Sequence, residues 1–107
     1  VKLYNVVFTP EAQDQLTAIY RYIAVAASPS IALRYTNNIV AHCEGLANFP
    51  NRGAPRSDLR EGLRTTNYKG RTVIAYAVDD VARQITIIGV FYGGQDFEAT
   101  LHEVIDE

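Results

Sequence analysis

The sequence predicts an α+β domain: an antiparallel sheet with an α-helical hairpin packed on one face, in the order β-α-α-β-β-β plus a short C-terminal helix. Three observations predict it. Two successive stretches repeat apolar residues every three or four positions, and each opens on a hydroxyl residue followed by proline. Three β-branched and aromatic runs then follow, separated by only a few turn residues. A shorter run of the same kind precedes the helices. The 107 residues are expected to form one domain over 1–107, enough chain for a single hydrophobic core.

Leu3 to Phe8 is short, β-branched and aromatic, and reads as a strand. Thr9-Pro10-Glu11 is a helix start. Thr9 can cap, Pro10 sits where its missing N–H is not needed, and Glu11 complements the helix dipole. Ala12, Leu16, Ile19, Tyr20, Ile23 and Ala27 make the first apolar stripe. Ser28-Pro29 repeats the start signal, and Ala32, Tyr35, Ile39, Cys43 and Leu46 make a second stripe ending near Phe49-Pro50. Two helices joined by so short a break fold back as a hairpin.

Asn51 to Gly62, with its prolines and glycines, reads as a loop. Strands resume at Leu63–Asn67, Arg71–Val78 and Arg83–Tyr92, with turns at Tyr68-Lys69-Gly70 and Asp79-Asp80. Their close spacing implies an antiparallel meander. Gly93-Gly94 ends it, and Phe97, Leu101 and Val104 suit a short terminal helix. If the first strand lies at a sheet edge, its unpaired backbone groups could accept a strand from a partner.

The net charge of −2 hides an uneven distribution. From Arg52 to Arg71 six basic residues stand against two acidic ones, whereas five carboxylates and no lysine or arginine follow from Asp96 onward. One basic segment in an acidic chain favours a protein partner over direct nucleic-acid binding, which calls for a broadly basic surface. No stretch approaches the roughly 20 apolar residues of a membrane span, and the first residues lack a signal-peptide pattern, so a cytoplasmic location is expected. Cys43 is the sole cysteine and falls on an apolar stripe, where a free thiol acts as a small core residue. Nothing points to a cofactor, and no metal-ligand spacing is present.

Four stretches carry a resemblance to a known family. They are Phe8-Thr9-Pro10-Glu11-Ala12 followed by Ile19–Ala24; Ala32-Leu33-Arg34-Tyr35 with Leu46–Gly53; Arg56-Ser57-Asp58-Leu59-Arg60-Glu61-Gly62-Leu63-Arg64; and Val73–Tyr76 followed by Tyr92-Gly93-Gly94-Gln95-Asp96-Phe97-Glu98. Taken together, in this order, they resemble the ParE branch of the ParE/RelE toxin superfamily, the plasmid-stabilization type. The resemblance implies a type II toxin held inactive in a hetero-oligomer with a cognate ParD-like antitoxin. It also implies one of two activities. ParE proteins inhibit DNA gyrase by protein–protein contact and arrest growth, whereas RelE-like relatives are ribosome-dependent messenger-RNA endoribonucleases. One fold serves both, so the site must decide.

Cleavage of RNA needs a base, an acid and a cation for the charged phosphate. Acid–base candidates are few: His42 mid-helix, His102 in the acidic tail, and Tyr92 at the end of the last strand, the best catalytic candidate of the three. A binder instead needs anchors. Arg56, Arg60, Arg64 and Arg71 are candidates for receiving carboxylates of the antitoxin or the target, because a guanidinium binds a carboxylate bidentately. Arg64 and Arg71 are favoured because they flank a hairpin. Tyr22, off its apolar stripe, is a candidate exposed anchor, and Tyr92 serves this reading too. Gyrase inhibition without catalysis is the expectation.

Overall fold

Thr9 and Ser28 open the two helices as hydroxyl caps. Thr9 Oγ1 accepts from the Ala12 amide at 3.1 Å and Ser28 Oγ from the Ile31 amide at 3.2 Å. Each cap satisfies one amide that the first turn leaves unpaired. The computed structural model describes residues 3–93. In chain order the elements are β1 (Asn5–Phe8), α1 (Pro10–Ala26), α2 (Pro29–Gly45), β2 (Ala54–Pro55), β3 (Leu63–Tyr68), β4 (Thr72–Asp79) and β5 (Gln84–Tyr92). The short C-terminal helix expected from Phe97, Leu101 and Val104 lies outside the described residues, as does His102. After Gly45 the chain continues in tightened turns, with amides of Leu46 to Phe49 each bonded three residues back.

Among the described residues the sheet has five strands in the order β1-β5-β4-β3-β2. The expected meander β3-β4-β5 is present and antiparallel. Two features correct the expectation of an antiparallel sheet with a plain loop before it. β1 pairs with β5 in parallel, Asn5 opposite Gln84 through Phe8 opposite Ile87, so the sheet is mixed. A parallel neighbour needs a long crossover, and here everything from α1 to β4 supplies it. Within the expected loop, Ala54 and Pro55 form a two-residue strand against Thr65 and Arg64. The α+β class stands. β1 does lie at an edge of the sheet, and β2 forms the other.

The helices cover one face. Ile19, Ile23, Ile39 and Leu46 are buried there against Ile74, Tyr76, Ile85 and Ile87. The other face carries a second buried group of Leu63, Ala75, Ile88 and Phe91, with Leu59 from the preceding loop packed on it. Burial on both faces explains why Ile85 to Phe91 is almost continuously apolar rather than alternating.

A β-bulge decides which side chains of β5 face the helices. Tyr76 pairs with Ile87 but Ala75 pairs with Gly89, leaving Ile88 without a partner on β4. The extra residue shifts the alternation by one. Ile85, Ile87, Val90 and Tyr92 all belong to the helix-side core, while Ile88 and Phe91 belong to the other. Gly89 is needed at the bulge, since a Cβ there would lie 2.5 Å from ring carbons of Phe91.

Candidate functional site

A cleft of about 430 Å³ lies between α1 and the end of β5. Gln15, Ala18 and Tyr22 line it from the helix, Val90 and Tyr92 from the strand, and Arg71 from the turn before β4. Gln15, Ala18 and Tyr22 fall three and four positions apart, so one helix face presents all three. The bulge turns Tyr92 toward the same side. Three of the sequence candidates, Tyr22, Arg71 and Tyr92, are therefore brought together.

The aromatic rings are organised further. Tyr22 and Tyr92 have ring centroids 5.9 Å apart, Tyr92 and Tyr35 5.7 Å, Tyr35 and Tyr68 5.6 Å, and Tyr68 and His42 5.5 Å. All four pairs are tilted or edge-on, the arrangement aromatic quadrupoles favour. The row runs from the cleft inward between α2 and the sheet. Tyr35 is fixed in it by a 2.8 Å hydrogen bond between its hydroxyl and that of the buried Thr72. Tyr22, 62 % exposed, is the row's outer end.

Arg71 is exposed and has no carboxylate partner among the described residues. The other arginine candidates are placed elsewhere. Arg56 forms a two-pronged pair with Asp58, Nε to Oδ1 at 2.9 Å and Nη2 to Oδ2 at 2.8 Å. Arg60 is exposed and lines a different, polar cleft with Glu61, Asp79 and Asp80. Arg64 does not project from its strand as expected. Its guanidinium turns back and donates to the carbonyls of Gly53 at 2.5 Å and Asn51 at 3.2 Å, holding the loop beside β2. The four arginines thus serve separate places, with only Arg71 in the cleft.

His42 is far along the row. Its Nε2 is buried without a hydrogen-bond partner among the described residues, and burial, then the charge of Arg52, lowers its pKa from the ordinary value. Cys43 is fully buried, and desolvation raises its thiol pKa to about 12, so it stays an inert core residue. Among the described residues the cleft pairs Tyr92 with one cation and no imidazole.

Sequence reasoning missed Gln15. Its Oε1 accepts from the Val90 amide at 2.7 Å, just past the bulge. β1 stops pairing at Ile87, so among the described residues β5 beyond that point has no strand on this side. Gln15 supplies the acceptor a neighbouring strand would have supplied. The available signal was a glutamine four residues before Ile19 and seven before Tyr22, on the border of the apolar stripe.

The sequence profile of the ParE toxin of the type II toxin–antitoxin system parDE matches residues 6–97. The chain belongs to the ParE toxin family. Among solved structures, the chromosomal ParDE toxin–antitoxin system from P. aeruginosa superposes with a TM-score of 0.72 at 24% identity, covering 87% of this chain and 99% of that one. The RelBE2 toxin–antitoxin complex from Mycobacterium tuberculosis superposes with a TM-score of 0.63 at 25% identity, covering 83% and 96%. No curated protein sequence matches the chain. The ParE/RelE fold expected from the sequence is thus shown, and this ParE-family chain is a type II toxin. No helix among its described residues is long and apolar enough to cross a membrane.

Proposed function

We propose that this ParE-family toxin is neutralised by a cognate ParD-like antitoxin docking on the cleft between α1 and β5, and that the freed toxin arrests growth by gripping DNA gyrase in the cytoplasm. The observation that carries the reading is the meeting of Tyr22, Tyr92 and Arg71 in one cleft. Two aromatic anchors and an uncommitted guanidinium are the side chains that dominate protein interfaces. Acid–base cleavage of RNA asks for a matched acid and base, and beside Tyr92 the cleft's lining offers a second phenol, an amide, apolar side chains and Arg71, with no imidazole or carboxylate among the described residues.

The test has two parts. Expression of the toxin alone should arrest growth, and co-expression of the product of the adjoining reading frame should restore it. Purified toxin in stoichiometric excess should then block DNA supercoiling by gyrase. Unaffected supercoiling combined with new 5′ ends inside translated messages would replace gyrase inhibition with endoribonuclease activity.

A further inference from the structure

The hydrogen-bonding order of β4 and β5 fixes which backbone groups face the cleft. The Gly93 amide donates to the Arg71 carbonyl at 3.0 Å. Arg71 and Gly93 are therefore a hydrogen-bonded pair, one step beyond Thr72 opposite Tyr92 in the register. In an antiparallel ladder such pairs alternate with pairs whose backbone groups point away from each other. Tyr92 opposite Thr72 and Val90 opposite Ile74 fall in the second class. Their N–H and C=O groups point off β5 on the side where β1 would continue. The Val90 amide confirms the direction independently, since it is taken by Gln15 from that side. The Val90 carbonyl and the Tyr92 amide have no partner among the described residues.

An acceptor on one residue and a donor two residues later form the hook by which a strand holds one residue of its neighbour. We infer that the Val90 carbonyl and Tyr92 amide pair with an extended segment of a protein partner. This segment lies end-on to β1, beside α1, and sets a carboxylate on Arg71. This deepens the docking site proposed above and rests on that reading.

The occupant follows from the walls. The slot is bounded on one side by α1, where Gln15 already takes the Val90 amide, so the Val90 carbonyl and the Tyr92 amide are the backbone groups left on this edge among the described residues. A helix satisfies its own backbone and has no use for the hook. Arg71, exposed and without a carboxylate among the described residues, gives the charge to be matched. Tyr22 and Tyr92 give the flat apolar walls against which the segment's alternate side chains pack.

The complex of the toxin with the product of the adjoining reading frame tests this by nuclear magnetic resonance, with the toxin labelled. The Tyr92 amide should exchange with solvent at least tenfold more slowly in the complex. It should also show an intermolecular contact to a backbone proton of the partner. Arg71→Gln should weaken the complex at least tenfold, and Arg71→Lys should recover part of the loss. A complex that forms with the Tyr92 amide exchanging at its free rate, or with only side-chain contacts at Tyr92, overturns the strand hook and leaves the antitoxin reading standing. Failure of the two proteins to associate overturns both.

Discussion

The Tyr76 hydroxyl is tied into the segment between α2 and β2, accepting from the Gly53 amide at 2.8 Å and donating to the Pro50 carbonyl at 2.9 Å. Tyr76 and Gly53 are buried, so the Gly53 amide has no water as an alternative. Tyr76→Phe removes both bonds and strands the buried Gly53 amide. The expected loss is about 1–3 kcal/mol, read as a lower midpoint in urea with an unchanged slope.

Gly53→Ala meets the same contact from the other side. Its Cβ would lie 2.6 Å from the Thr65 carbonyl oxygen and 2.8 Å from the Tyr76 hydroxyl. Both neighbours are held, one by the β3 backbone and one by its hydrogen bonds, so the loop must shift. A loss of about 1–3 kcal/mol is expected. Since the two substitutions break one contact, the double variant should lose clearly less than the two separate losses combined, as a double-mutant cycle would show.

Gln15→Leu keeps the volume beside the cleft and removes the acceptor for Val90. The Val90 amide should exchange faster by hydrogen exchange, and stability should fall by about 1 kcal/mol. Thermal unfolding measures the second effect. Unchanged exchange at Val90 would show that the Gln15 bond does not hold this edge.

Tyr22→Ala separates binding from folding. The side chain is exposed apart from its contact with the Tyr92 ring, so the midpoint of unfolding should move little. Affinity for the neutralising partner should fall by about 2 kcal/mol, measured by calorimetry at fixed salt. Equal affinities would place the docking surface away from the cleft.

His42 gives the protein a pH dependence of known sign. Burial lowers its folded pKa below the ordinary value of 6.5, with Arg52 adding to the effect. The unfolded chain therefore binds its proton more readily. The stability tied to this group is complete above pH 6.5 and is lost as pH falls through the folded pKa. Wild type should lose more stability than His42→Gln between pH 7.5 and the acid side of that window, with carboxylate effects cancelling in the difference.

The helices were legible because their signals are local. Thr9-Pro10 and Ser28-Pro29 fix the starts, and the apolar spacing fixes the buried face, with no knowledge of the rest of the chain. The meander was legible for the same reason, since short turns leave β3, β4 and β5 few alternatives. The partner of β1 is set by the whole chain between them, and no window of sequence contains it. β2 was hidden because two residues carry no periodicity. The candidate site shows the same division. Tyr22 was recognisable as exposed from its own helix, and Arg71 and Tyr92 from their places at strand ends. Their convergence depends on the bulge at Ile88, since strict alternation would have turned Tyr92 from the helices. Arg64 was misjudged because its strand position says where its Cα lies and not which carbonyls wait within reach.

Pro55, on the two-residue strand that finishes the sheet opposite β1, has no N–H to offer a newcomer. Head-to-tail zippering of toxin copies through their margins is thereby frustrated at one terminus of the ladder. A strand arriving on that margin meets one donor fewer, which disfavours recruitment there.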